Sequence, residues 1–297
     1  MQRLNKLEGE QNEFATIFIG CASLAFVDWR AHPRLERIYS MSRPTRLSGH
    51  YDVKYGSEAS TPLDQIVDSG SYPANRFEAC VNFFLSRFHG GDVLELGAGS
   101  GLVARSLIAR GLQFTTYTVS ELSQVRLKGL AQSLRDPRIR VLELDAEAIP
   151  DDVVAKYDAV IMLALIEHLI DPLGAMQRIH RLLKPGGFVF IETPNIAKFT
   201  RRAKLLLGRF PSTASRNEGL TTYGGNQVDL HDEGHLHYFT FRSLSHMLMQ
   251  RCGFSKVEKL GYFVGPNGRR IFAHKLGDVL SRTWPEFFSE IVVVAYA

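Results

Sequence analysis

The sequence is poor in cysteine. Cys21, Cys80 and Cys252 are its only three in 297 residues, and they stand far apart, without the paired spacing of a zinc site or a disulfide framework. That scarcity predicts a reducing, cytoplasmic setting. The chain also lacks an unbroken apolar run long enough to span a bilayer. Phe14 to Val27 comes nearest, but Gly20, Cys21 and Ser23 interrupt it and Glu8, Glu10 and Glu13 precede it, an acidic flank unsuited to a signal peptide. A short helix packed on the body of the protein is the expectation there. No tail of like charges is present: 35 basic and 31 acidic residues leave a net +4 dispersed along the chain, and no aromatic series accompanies the basic residues. Nucleic acid is therefore not implied as a partner. No internal repeat is visible, and the length suits one large α/β domain with additions or two small domains.

What is present is concentrated in Val93-Leu94-Glu95-Leu96-Gly97-Ala98-Gly99-Ser100-Gly101-Leu102. Val93, Leu94 and Leu96 suit a buried parallel strand, and glycines at alternate positions let the backbone turn sharply against a ligand that a β-carbon would block. Leu102 to Gly111 reads as a helix whose first N–H groups face an anionic group. A dinucleotide fingerprint requires glycine or alanine at its sixth position, and Leu102 stands there, which counts against NAD.

Around this turn the pattern is regular. Phe77, Cys80, Val81, Phe84 and Phe88 recur at helical spacing up to Gly90-Gly91. Strands are then predicted at 93–97, 114–119, 139–144, 157–163, 188–193, 255–262 and from Ile291 to Tyr296. Helices are predicted at 102–110, 122–134, 173–183 and 241–252, with Pro185-Gly186-Gly187 as a sharp stop. The alternation predicts an α/β fold with a doubly wound parallel sheet, and only the end of the sequence suits an antiparallel strand. Residues 1–74 read as a helical and loop extension, or cap, preceding a domain over 75–297. Residues 195–238 read as an insertion.

Doubly wound sheets place ligands outside the carboxyl ends of their strands. After the second predicted strand, Glu121 lies twenty positions beyond Gly101, where its carboxylate suits two ribose hydroxyls; an acidic helix start is the alternative. After the third, Asp145 suits an adenine amino group and Ala146 leaves room for a ring, the alternative being a turn or cap. After the fourth, Leu163 brings an apolar wall and Glu167-His168 an acid and an imidazole.

The spacing Glu95-x-Gly97-x-Gly99-x-Gly101 resembles the first motif of class I S-adenosylmethionine-dependent methyltransferases. Tyr157-Asp158-Ala159-Val160-Ile161, Ile166-Glu167-His168-Leu169 with Asp171-Pro172, Leu182-Leu183-Lys184-Pro185-Gly186-Gly187 and Glu192-Thr193-Pro194-Asn195 resemble later motifs of the group that includes the ubiquinone-biosynthesis O-methyltransferases. The resemblance covers roughly 75–297. It implies a Rossmann-like sheet of seven mostly parallel strands with one antiparallel strand near an edge, S-adenosylmethionine as cofactor, and methyl transfer to a small molecule at a hydroxyl oxygen. It also implies that Arg76 holds the methionine carboxylate, a role its planar donor fork suits. Transfer to nitrogen or carbon, a catalytically silent partner protein and a dehydrogenase remain as alternatives.

For such a reaction His168 is the candidate base, since imidazole titrates near neutrality; a buried or helix-capping histidine is the other reading. His235 and His237, from the cluster His231 to His237, share one face if the segment is extended and join His168 as catalytic candidates. No metal is expected: relatives that bind a divalent ion carry a further acid three positions before the Glu-His pair, and here that place is Ala164; a partial site of Glu167, His168 and one of His235 or His237 is the alternative. In the insertion, 198–210 mixes basic and apolar residues and reads as a lid helix with a solvated basic face. Contact with an anionic membrane or an acidic substrate is the alternative, and Gly224-Gly225 suits a mobile lid.

Overall fold

The computed structural model describes residues 49, 52, 66–67, 73–211, 213, 222–223, 226–227, 235–262, 279–281 and 283–297. Within them the predicted alternation forms one sheet. The helix expected near Phe14–Val27, His231, the Gly224-Gly225 hinge and most of the 1–74 extension lie outside the described residues.

Asn75 caps α1 (Arg76–Arg87), accepting the Glu78 N–H at 2.9 Å. It is followed by β1 (Asp92–Leu96), α2 (Leu102–Ala109), β2 (Thr116–Glu121), α3 (Gln124–Ser133), β3 (Ile139–Glu143) and β4 (Tyr157–Leu163). A 3-10 turn over Ile166–His168 precedes α4 (Pro172–Leu182) and the long β5 (Leu183–Pro194). The insertion contributes α5 (Phe199–Leu206) and the two-residue strands β6 (Thr222–Tyr223) and β7 (Asn226–Gln227). Then α6 (Phe241–Arg251), β8 (Lys256–Tyr262) and β9 (Glu290–Tyr296) complete the main sheet. The elements sit within a few residues of their predicted bounds. The main exception is β5, which absorbs the Pro-Gly-Gly stop because Leu183 already pairs with Tyr157 before a register shift.

The sheet order is β3-β2-β1-β4-β5-β9-β8. β9 alone runs against its neighbours β5 and β8, second from the edge. Because strand side chains alternate, Val93 joins α1, α2 and Phe84 on one face, while Leu94 and Leu96 join α4 and α6 on the other. Both faces are apolar, as a covered parallel sheet requires. Val67 also packs into the first of these clusters, and its N–H donates to Ser106 Oγ at 3.0 Å.

At the amino ends of the strands Lys184 Nζ meets Asp92 and Asp158 at 2.8 and 2.7 Å. That pairing accounts for the Lys-Pro-Gly-Gly motif as a clamp on the sheet, far from the open carboxyl edge. Asn195 is likewise structural: fully buried, it donates to the Glu286 and Phe288 carbonyls and accepts from Ala197 N–H, tying β5 to the segment before β9.

Candidate active site

The glycine turn leaves β1 with Gly97, Gly99 and Gly101 all at positive φ: 65°, 58° and 75°. At Gly101 the reason is steric as well as conformational, since an added β-carbon would lie 2.5 Å from Leu130 of α3. At Gly99 space is open, with Arg126 Nη1 at 3.6 Å as the nearest atom, so the backbone itself forms the surface. Its N–H donates to Glu121 Oε2 at 2.9 Å, and Glu121 Oε1 accepts from Leu122 N–H at 2.8 Å. One carboxylate at the end of β2 thus braces the turn after β1.

Glu95 points below the turn. It is 4% exposed and accepts the Tyr117 hydroxyl at 2.8 Å. Burial raises its carboxyl to about 7, against the opposing pull of that hydrogen bond and of Arg105. Beyond β3, Asp145 accepts from Glu147 N–H at 2.9 Å and is raised by burial, with buried Ala146 beside it. Leu163 ends β4 half-buried, and Ala164 follows at φ 46°, its N–H on the Glu192 carbonyl at 2.9 Å. A non-glycine residue held there is strained, and the chain enters the 3-10 turn two residues later.

That turn carries the imidazoles. The rings of His168 and His235 meet edge to face with centroids 4.7 Å apart. His235 Nδ1 lies 2.7 Å from Thr213 Oγ1. The segment is held by the backbone of Glu167, whose carbonyl accepts from Leu236 and His237 N–H at 2.8 and 3.1 Å. His237 stands apart, its Nε2 3.3 Å from the Ile170 carbonyl, so two of the three candidate histidines come together. Glu167, 2% exposed, accepts the Thr193 hydroxyl at 2.9 Å.

Glu167, His168 and His235 place one ligand atom each within 4.8 Å of one another. An oxygen and two imidazole nitrogens are the donor set of an open divalent site. These are the donors of the partial site left open by the sequence, with His235 rather than His237 beside Glu167 and His168.

A second group of acids lies beside this one. Glu192 is 1% exposed and Glu290 is buried; Tyr262 donates to Glu192 Oε1 at 2.8 Å. Glu192 Oε2 and Glu167 Oε1 are buried with no hydrogen-bond partner among the described residues. Burial opposes the Arg76 charge, but Glu192, Tyr262, Glu167 and Glu290 together hold its pKa above the ordinary arginine value. Arg76 therefore neutralises part of this acid group. Glu290, Tyr262 and Thr213 had no assigned role from sequence. The one available signal was Glu192 itself, a charge ending the apolar run Phe188–Ile191.

These burials set a pH dependence. Glu95 and Glu290 keep their protons in the folded protein to about 7 and about 8, Glu290 through burial and then Glu192. In the unfolded chain a glutamate ionises near ~4.3. Over that interval the folded state binds more protons, so stability falls as pH rises and levels off above the folded values. The melting temperature should drop by several degrees between about pH 5 and about pH 8, and Glu290→Gln should flatten the slope. A melting temperature that climbs over the same range contradicts these assignments.

A family model described as a methyltransferase domain matches residues 72–259. Ubiquinone biosynthesis O-methyltransferase of Leptothrix cholodnii is 32% identical over 111 residues, 37% of this chain and 47% of that protein. The same enzyme of Paracidovorax citrulli is 32% identical over 123 residues, 41% of this chain and 50% of that protein. The chain spans about half the length of the curated relatives it matches. Among solved structures, the crystal structure of the cyclase SpnF aligns with a TM-score of 0.52 at 17% identity, covering 84% of this chain and 94% of that one, a likeness of fold alone.

Proposed function

The chain belongs to the methyltransferase domain family, whose cofactor is S-adenosylmethionine, and from that premise we propose that it methylates a hydroxyl oxygen of a small molecule. The observation that carries this reading is the imidazole pair, His168 and His235 at 4.7 Å, at the exit of β4 on the same sheet edge as the glycine turn. The relatives named as O-methyltransferases support oxygen as the acceptor atom.

The residues suit the cofactor. Gly97 is exposed and Gly99 half-buried, so the backbone of the turn is accessible where a side chain would fill the cradle. In this reading Gly97, Gly99 and Gly101 seat the methionine end and Glu121 takes the ribose hydroxyls. Asp145 and Ala146 receive adenine, Leu163 supplies an apolar wall, and Arg76 meets the carboxylate. Glu95 supports the turn from beneath. When bound, S-adenosylmethionine supplies a methyl group made electrophilic by its sulfonium.

The chain's own task is then to align the acceptor oxygen, exclude water and remove one proton. His168 takes that proton in the proposed mechanism, and His235, fixed by Thr213, steadies the resulting charge. The 4.8 Å donor set favours a second reading, in which Glu167, His168 and His235 would hold a divalent ion that would supply Lewis-acid activation of a hydroxyl acceptor.

Radiolabelled S-adenosylmethionine offered with phenols, sugars and amines tests both. Label should appear on hydroxyl-bearing acceptors. Label on amines alone overturns the oxygen assignment, and cofactor binding without any product points to a silent partner protein. Activity abolished by a chelator and restored by a divalent ion selects the metal reading over the free base.

A further inference from the structure

Glu192 ends the apolar run of β5 on the sheet face that carries α1. Phe190, two residues earlier, packs there with Phe84, and strand alternation puts Glu192 on the same face. Its carboxylate is 1% exposed: Oε1 accepts the Tyr262 hydroxyl at 2.8 Å, while Oε2 has no hydrogen-bond partner among the described residues. A charged acceptor left unmade inside a protein is costly, and the cost is recovered only when a donor arrives.

Arg76 is not that donor. It opens α1, half-buried and within electrostatic reach of Glu192, yet no hydrogen bond or ion pair joins the two. Arg201 donates to the Asn195 and Ser289 carbonyls at 2.6 and 3.1 Å and does not close on Glu192 either. A guanidinium and a carboxylate that come near without pairing leave a fork of donors and an acceptor for a third group. Their place is beside the glycine turn. Leu163 pairs with Glu192 in the sheet, and Leu96, the residue before Gly97, pairs with Met162, the residue before Leu163. Gly97, Leu163 and Glu192 therefore follow one another across three adjacent chain segments, about 4.8 Å per step.

We propose that Glu192 Oε2 receives the α-ammonium of the cofactor's amino-acid end while Arg76 receives its α-carboxylate, so that the two side chains grip a zwitterion. Tyr262 fixes the Glu192 carboxylate through Oε1 and leaves Oε2 for the ligand. Half-buried Arg76 and Leu163 are the side chains that give way as the ligand enters. The inference rests on S-adenosylmethionine as cofactor and does not depend on which acceptor atom is methylated.

The test is calorimetric titration of the full chain with three ligands: S-adenosylhomocysteine, its analogue with hydrogen in place of the α-amino group, and 5′-methylthioadenosine, which lacks the amino-acid end. The unmodified chain should bind S-adenosylhomocysteine about thirtyfold more tightly than the deaminated analogue, as a hydrogen bond between charged groups implies. In Glu192→Gln that preference should shrink to about threefold, because the amide keeps an acceptor oxygen but loses the charge. Affinity of this variant for 5′-methylthioadenosine should stay within about twofold of the unmodified value, which reports an intact cradle. The comparison of ligands on the unmodified chain needs no variant, so it holds even where Glu192→Gln fails to fold. Equal affinity of the unmodified chain for S-adenosylhomocysteine and its deaminated analogue overturns the proposal and leaves the cofactor assignment intact, whereas binding of none of the three removes both. An undiminished preference in Glu192→Gln also overturns it, and a raised KM for amine-bearing acceptors in that variant then assigns the carboxylate to the acceptor.

Discussion

Methyl transfer should fall by about 10²–10⁴-fold in His168→Ala, while S-adenosylhomocysteine still binds within about twofold of the unmodified affinity. The asymmetry follows from position. His168 lies in the 3-10 turn beyond β4, past Leu163, and the polar groups proposed to hold the cofactor lie on the glycine turn, the ends of β2, β3 and β5, and the start of α1. Removing the imidazole takes away a proton acceptor without touching that cradle. The neighbouring His235 is a poor substitute because Thr213 and the Glu167 carbonyl fix its segment in place. Single-turnover measurements with saturating cofactor separate the two effects. Turnover retained in His168→Ala removes it both as base and as metal ligand. Partial rescue by added imidazole in the presence of chelator supports the base.

The second large effect is expected at Glu121. Glu121→Ala should weaken cofactor binding by ~10²-fold, the loss of two hydrogen bonds to a charged acceptor. Glu121→Gln should be nearly as harmful, although it keeps the shape of the side chain. In the folded protein Oε2 accepts from Gly99 N–H and Oε1 from Leu122 N–H. An amide has one acceptor oxygen and one donor nitrogen, so one of these backbone donors would face another donor. The turn would then shift even before a ligand arrives. Calorimetric titration with S-adenosylhomocysteine reads the affinity, and a melting curve reads the turn. If Glu121→Gln binds as tightly as the unmodified chain, Glu121 has no part in holding ribose.

The parts of the protein legible in the sequence are those with a local cause. Runs such as Val93 to Leu96 and Tyr157 to Leu163 announce buried strands because both sheet faces are covered. Glycines at 97, 99 and 101 announce the turn because side chains tolerate those dihedrals poorly. From such signals followed the order of elements and the sheet edge at which chemistry had to be sought.

Only the tertiary structure decided which side chains meet there. Thr193 reaches Glu167 across 26 positions, Thr213 reaches His235 across 22, and Tyr262 reaches Glu192 across 70. Their identities carry no local mark, because a hydroxyl that partners a buried acid looks in sequence like any surface hydroxyl. The same holds for charge. Folding brings half-buried Arg76 and buried Glu290, which start a helix and a strand far apart in the chain, within electrostatic reach of Glu192, where low polarity magnifies every charge. The histidines show the division most plainly: the sequence alone determined that imidazoles lie near the carboxyl edge, while packing against the Glu167 backbone selected His235, and left His237 outside, as the partner of His168.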